Sequence, residues 1–371
     1  MKKPVKPILV TQPSLPNLKE FTNYLENIWE SKWLTNNGAF HKEFEQKLAE
    51  HLGVKFISLF SNGTLALMTA FKVLDIKGEV ITTPYSFVAT THSMLWNGIT
   101  PVFCDVDPIY GNLDVDKIQS LITTKTEAIV PVHVYGNPVD VEKLDKLAKK
   151  HNLKVIYDAA HAFGVQKNGN SILKYGDLSI LSFHATKTFN TIEGGAIISH
   201  NVETKKQLDY LKNFGFSGET TVIATGINAK MNELQAAFGL LQLKAIDDEI
   251  NKRKVVAELY REKLTRVKGI RFLEDVSNIK HNYSYFPIFI NEEYPLTRDE
   301  LYQKLKDNNI FGRRYFYPLI SEFQMYEKFE SALPCRLQNA IKIANEVICI
   351  PIYPELRKED IERIIKVLIE R

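Results

Sequence analysis

Several residues stand where apolar runs end, and each suits a piece of chemistry. Lys187 lies in SFHATKTFNTIEGGAIISH (182–200), on a turn between two apolar runs. A solvated lysine needs no such setting; a lysine that must be held still and lose its proton does. Asp158 closes the run KVIYD and precedes the small residues AAHAFG. An aspartate there suits a cation, a base or a protonated ring nitrogen, and it equally suits a helix N-cap. SNGTLALMTA (61–70) opens a helix at Gly63 and Thr64. Free N–H groups at such a start bind phosphate, although a plain turn reads the same. Phe87, in PYSFVATTHS (84–93), can lie flat on a planar ligand or pack between a strand and a helix.

Each of these features follows a predicted strand, so all of them point into one crevice. A phosphate cradle, an aromatic face, a carboxylate and a lysine together match pyridoxal 5'-phosphate (PLP). That ligand has a phosphate, a flat ring, a basic ring nitrogen and an aldehyde that a lysine amine can hold.

The elements that position these residues are legible as apolar runs. Predicted strands cover 55–60, 79–84, 100–107, 128–136, 154–160, 178–185 and 195–200, with helices from Gly63 and over 89–96 among them. The repeat predicts an α/β fold with a mainly parallel sheet covered on both faces, whose strands are apolar throughout. Two amphipathic helices are expected near 17–31 and 40–51. A long helical stretch over about 233–267 is expected to bridge two lobes. A smaller α+β lobe follows, with SYFPIFI, a helix at 297–308, IFGRRYFYP, a helix near 336–346, ICIPI and a last helix from 358. The expected division is a large PLP-binding domain with its N-terminal helices over 1–245 and a small C-terminal domain over 246–371.

Composition narrows the function class. The 47 basic and 44 acidic residues leave a net charge of +3, too weak to imply a nucleic-acid partner. The three cysteines, Cys104, Cys335 and Cys349, show no metal or redox spacing and fit a reducing compartment. No apolar run is long enough to span a membrane, and the N-terminal apolar run is too short for a signal peptide. A cytoplasmic location is therefore expected.

WLTNNGAF, SNGTLAL, PYSFVAT, VHVYGNPVD, YDAAHAFG, SFHATKTFNTIEGG and GINAKMNELQAA occur in order along the chain. This set resembles the nucleotide-sugar aminotransferases of the DegT/DnrJ/EryC1/StrS family, which share the aspartate-aminotransferase fold (PLP fold type I). The resemblance implies that Lys187 carries the cofactor and that Asp158 pairs with its ring nitrogen. It places His161 beside the ring hydroxyl, Phe87 on the ring, and Gly63, Thr64 and Ser182 on the phosphate. It also implies that Asn228 reaches the phosphate of a neighbouring subunit, so a homodimer with shared sites is expected. Arg314 and Tyr317, with Arg313 beside them, fall in the segment that lines the family's sugar-nucleotide site; a solvated arginine pair is the alternative.

Family dehydratases carry histidine at the lysine position, so Lys187 argues for amino transfer. L-Glutamate is the expected donor and a nucleotide-linked keto sugar the acceptor, with the product entering a surface glycan such as O-antigen. Members that aminate carbon 3 tend to read PGKNLGALGDGG around the lysine. ATKTFNTIEGG here resembles the carbon-4 group and implies dTDP-4-keto-6-deoxyglucose, with carbon 3 of a dTDP-3-keto-6-deoxyhexose as the alternative. An amino-acid aminotransferase would need an arginine for the substrate carboxylate, for which Arg336 could be offered, but the motifs do not match. A non-catalytic PLP-binding regulator would need a basic recognition helix, and the first helices carry Trp29, Trp33, Glu43 and Glu45 instead. His184 reads as a structural neighbour of Lys187, His133 as a core histidine and Cys104 as packing.

Overall fold

Apolar runs become strands here because both faces of the sheet are covered. In the structure, a computed structural model that describes residues 6–370, seven strands form the central sheet. Their order in space is 56–60, 195–199, 178–182, 154–158, 126–130, 79–82 and 100–103. Alternate side chains serve different cores. Val80, Ile156, Ile180 and Ile197 pack with the helices Gly63–Val73, Ala89–Trp96 and Val202–Leu211. Ile81, Val155, Leu181 and Ile198 pack on the other face, with Ala39–Leu52, Val141–His151 and Glu233–Leu264.

The strand 195–199 runs antiparallel to both of its neighbours, and the remaining pairs are parallel. This single reversal matters for function. The carboxyl ends of 56–60, 79–82, 154–158 and 178–182 share one edge of the sheet. The reversed strand brings its amino end, Gly195, to that same edge, and the loop carrying Lys187 (183–194) enters there.

The long helix Glu233–Leu264 ties the parts together. Its N-cap, Asn232, accepts from Gln235 N at 2.9 Å, and Gln235 Oε1 accepts from Asn232 N at 3.2 Å, a reciprocal capping box. Glu233 has a second task. The helix Ala39–Leu52 starts at Gly38, which has no side chain to cap it, and the buried Glu233 carboxylate accepts from Phe40 N and His41 N at 2.9 Å each. A Cβ on Gly38 would lie 2.5 Å from Glu233 Cδ, so the glycine makes room for this remote cap. Farther along, Arg253 and Tyr260 donate to the carbonyls of Ile352 (3.0 Å) and Pro351 (2.8 Å), joining the helix to the C-terminal segment. Residue 245, the expected boundary between lobes, lies inside this helix.

The C-terminal part holds a three-stranded antiparallel sheet (270–272, 286–290, 347–350) with Arg298–Asp307, Gln338–Glu346 and Lys358–Ile369. Most expected strands end before their apolar runs do: 100–107 is a strand only over 100–103 and 178–185 only over 178–182. The run at 128–136 ends as a regular strand at Val130, keeps a bridge from Val132 to Asp158, and turns at Tyr135, which has φ +56°. In IFGRRYFYP only Ile310–Phe311 forms a strand, paired in parallel with Ile8–Leu9; the rest is a loop. Among the described residues no helix is long and apolar enough to cross a membrane.

Glu233→Ala should leave two helix N–H groups buried without an acceptor. We expect a loss of about 1–3 kcal/mol in a denaturant titration. An unchanged midpoint would show that water replaces the carboxylate without cost.

Candidate active site

The first constraint on the site is the closeness of two chain segments. A Cβ on Gly195 would sit 2.7 Å from the carbonyl carbon of Asn62 and 2.8 Å from Gly63 N. A Cβ on Gly63 would meet Ser182 Cβ at 3.0 Å. The reversed strand, Ser182 and the start of the helix Gly63–Val73 therefore pack into a cradle that side chains would fill. Asn62 caps this helix by accepting from Leu65 N at 2.9 Å. The N–H groups of Gly63 and Thr64 belong to the first turn and have no partner within the helix, and both residues line the cleft together with Ser182.

Beyond the cradle lies a cleft of about 640 Å³. Gly63, Thr64, Phe87, Asp158, His161, Ser182 and Lys187 all line it, together with His184 and Glu193. Phe87 keeps 59% of its surface exposed at the edge of this cleft. The loop 183–194 is held from below. Phe189 is buried, stacks on Phe163 with ring centroids 4.4 Å apart, and meets Phe183 edge-on at 5.2 Å. Phe183 N donates to Gly194 O at 2.8 Å and Thr191 N to Phe183 O at 2.9 Å, closing the loop. Gln235 on the long helix donates to the carbonyls of Glu193 (2.6 Å) and Ser61 (3.3 Å), locking the loop to the cradle.

Burial sets the protonation of the three central groups. Lys187 is pushed down from its ordinary 10.5 to about 8, because the cleft walls take water from its ammonium; the Asp158 charge opposes this. Asp158 is held above the usual carboxylate range by burial, opposed by donors from Thr90 and Ala160 and by Lys187. Thr90 Oγ1 donates to Asp158 Oδ2 at 2.8 Å and Ala160 N to Oδ1 at 3.1 Å. His161 is driven well below its ordinary range by burial and then by Lys187, so its imidazole is neutral. Its Nδ1 accepts from Tyr135 N at 3.3 Å, which assigns the remaining proton to Nε2. Phe316 stacks on this ring at 5.8 Å and 3°, and Tyr285 meets it edge-on at 4.9 Å.

Other expected site residues lie elsewhere. Asn228 is exposed, bridged to Asn213, and outside the lining of its own chain's cleft. Arg314 also lies outside the lining: it pairs with Asp299 at 2.8 Å, and its guanidinium lies 4.7 Å and 4.9 Å from the ring centroids of Tyr302 and Tyr317. Tyr317 is half-exposed and takes Arg298 on its ring at 4.3 Å; Arg313 is exposed. The two residues between them, Tyr315 and Phe316, do line the cleft, as does Tyr285. His133 is fully buried, stacked on Tyr157 at 4.9 Å and depressed to about 3 by burial, in keeping with a core role. Cys104 is buried too, and loss of water pushes its thiol far up, away from nucleophilic use.

These groups fit PLP. The cradle has room and free donors for a phosphate, Asp158 has carboxylate lone pairs left over for a ring nitrogen, and neutral His161 keeps a donor for a ring hydroxyl. Lys187 supplies an amine largely freed of its water. Residues 17–369 match the DegT/DnrJ/EryC1/StrS aminotransferase family. The chain belongs to that family. It is 52% identical to the dTDP-4-amino-4,6-dideoxy-D-glucose transaminase of Shigella dysenteriae, over 98% of this chain and 99% of that one. Among solved structures it is similar to DesI, solved in the presence of its TDP-sugar product (TM-score 0.93, 33% identity, 98% of this chain and 92% of that one). It is also similar to NtdA from Bacillus subtilis with bound cofactor PMP (TM-score 0.87, 29% identity, 95% and 81%). The expected PLP fold type I, the cofactor and the enzyme class, a PLP-dependent sugar aminotransferase, are thereby borne out.

The Lys187 amine of the cofactor-free protein should react with a small acylating reagent along a titration curve near pH 8, well below an ordinary lysine. The Asp158 carboxylate favours the ammonium form, so Asp158→Asn should move the curve lower still. Peptide mapping of the acylated lysine against pH measures both, and an unmoved or upward-moved curve would show that Asp158 does not act on Lys187.

Proposed function

We propose that this enzyme transfers the amino group of L-glutamate to carbon 4 of dTDP-4-keto-6-deoxyglucose. The near-full-length similarity to the Shigella dysenteriae transaminase carries this reading, with Lys187 present in the loop where amino transfer needs an amine. The aminated sugar would feed a surface glycan such as O-antigen.

PLP, when bound, supplies the electron sink that lets a carbon beside an amine lose its proton. This chain's residues do the rest. The helix start at Gly63 and Thr64, with Ser182, binds the phosphate. Asp158 accepts a hydrogen bond from the ring nitrogen and favours its protonated form. His161 donates from Nε2 to the ring hydroxyl oxygen, and Phe87 covers the ring. Lys187 Nζ holds the cofactor between turnovers and, once free, takes the proton from the donor's α-carbon. At a value of about 8, roughly a tenth of a free Lys187 amine is neutral at pH 7, enough to serve as a base. In the second half-reaction the same amine works in reverse on carbon 4 of the sugar.

We place Asn228 in the phosphate site of a partner subunit, which makes the working unit a homodimer. Its exposure outside its own chain's cleft supports this. A cytoplasmic location suits the nucleotide-sugar substrate, and the described cysteines are all unpaired.

The test is to incubate enzyme, PLP, L-glutamate and either dTDP-4-keto-6-deoxyglucose or a dTDP-3-keto-6-deoxyhexose, and to locate the new amine by NMR. Amination of the 4-keto sugar is expected; amination of the 3-keto sugar alone would overturn the substrate reading. Lys187→Ala should fold normally and lose at least about a thousandfold in turnover. Borohydride treatment of the wild type should leave the cofactor's mass on the peptide containing Lys187 and on no other.

A further inference from the structure

Behind Asp158 runs a chain of hydroxyls. Thr90, on the helix Ala89–Trp96, is 1% exposed, and its Oγ1 lies 2.8 Å from Asp158 Oδ2 and 3.0 Å from Ser86 Oγ. Ser86 is also buried, at 5% exposure, and lines the cleft. The direction of this chain follows from counting protons. An ionised carboxylate only accepts, so the single Thr90 hydroxyl proton goes to Asp158. Thr90 can then only accept from Ser86, which spends its own proton on that bond. If Asp158 were protonated on Oδ2, the order would reverse, with Asp158 donating to Thr90 and Thr90 to Ser86. The chain therefore has two arrangements, one for each protonation state of Asp158.

We propose that Thr90 is a positioning residue for the reaction: its hydroxyl holds Asp158 ionised and aimed at the cleft, and Ser86 supports it by donating to Thr90 Oγ1. This rests on the reading of Asp158 as the partner of the cofactor's ring nitrogen. The need for such help is physical. Burial disfavours the Asp158 charge, and the facing groups offer little compensation. Lys187 attracts it without forming a direct ion pair, and His161 is neutral. Ala160 N is the other protein donor to the carboxylate. A hydrogen bond to a charged acceptor is among the stronger kinds, and a buried acceptor that loses its donor bears the full cost of desolvation.

The experiment compares full-length wild type, Thr90→Val and Thr90→Ser, each reconstituted with PLP carrying nitrogen-15 in its ring. Valine keeps the shape and removes the hydroxyl; serine keeps the hydroxyl. The ring-nitrogen resonance reports its protonation and fluorescence titration gives the cofactor dissociation constant, both independent of turnover. In Thr90→Val the resonance should move toward the unprotonated position and the dissociation constant should rise about tenfold. Thr90→Ser should restore both. A Thr90→Ser protein as impaired as Thr90→Val would mark a packing role and overturn the proposal. If Thr90→Val does not fold, Ser86→Ala carries the test, with a smaller movement in the same direction expected and an unmoved resonance overturning it. A wild type with an unprotonated ring nitrogen sinks the reading of Asp158 and this proposal together. A protonated wild type unmoved by Thr90→Val sinks this proposal alone.

Discussion

A carboxylate buried at the end of a strand is costly, and much of the site can be understood as what makes it tolerable. Taking an unpaired charge out of water costs several kcal/mol unless donors replace the solvent. Asp158 receives two donors, one from the backbone of its own turn and one from a neighbouring helix. Neither saturates it. Lone pairs remain on the cleft side, and a carboxylate left short of donors attracts a protonated ring nitrogen. The geometry leaves this demand unmet by the protein itself, since Lys187 attracts Asp158 through space and forms no direct ion pair with it.

The sheet provides the means of holding such a group in place. Parallel strands collect their carboxyl ends, and the helix N-termini that follow them, on one edge. The free N–H groups of Gly63 and Thr64, the hydroxyls of Ser86 and Thr90, and Asp158 follow or close three different strands, and hydrogen bonding within the sheet fixes their spacing. The lysine cannot come from a fourth such end with a helix after it, because a helix would carry it away from the cleft. Reversing one strand solves this. The chain leaves at Ser182, crosses the cleft as a loop pinned by Phe183 and Phe189, and returns at Gly195. The return is possible only because residue 195 has no side chain where it passes Asn62 and Gly63.

Much of this was legible in the sequence, for identifiable reasons. Doubly buried strands are continuous apolar runs, and the residues just after them inherit a fixed place on the sheet edge. That is why Lys187, Asp158, Gly63 and Phe87 could be assigned to one crevice before any coordinates. The run at 128–136 misled at its end because VHVYG is apolar for a different reason: Val134 and Tyr135 are core residues of a turn, not of the sheet. The cleft wall formed by Tyr285, Tyr315 and Phe316 was not legible. These residues come from a lobe more than a hundred positions away from the first strand ends, and an aromatic in a loop carries no mark of what it faces. Arg314 and Tyr317 were expected at the sugar-nucleotide site because they fall in the segment that matches it; in the structure Asp299 pairs with Arg314, and Arg298 and Arg314 lie over the Tyr317 ring. Thr90 was missed because a threonine on a buried helix face reads as packing. Ser86, its partner, lies in the turn before the helix, where sequence spacing does not fix which hydroxyl it meets.

Hydrogen bonding explains how three ionisable groups within one cleft avoid competing for the same proton. Burial pushes Lys187, Asp158 and His161 toward neutrality alike, so burial alone cannot give them different roles. What separates them is their hydrogen bonds. Asp158 is given donors, which favour its charge. His161 is given a backbone donor on Nδ1, a bond that only an unprotonated Nδ1 can accept and that therefore favours the neutral imidazole. Lys187 is given no side-chain partner at Nζ, only the ring of Tyr285 at 5.9 Å, a weak attraction that leaves the amine free to gain or lose a proton. One environment thus yields an anion, a neutral donor and a labile base. A group meant to stay fixed is bonded, and the group meant to move protons is left without a partner.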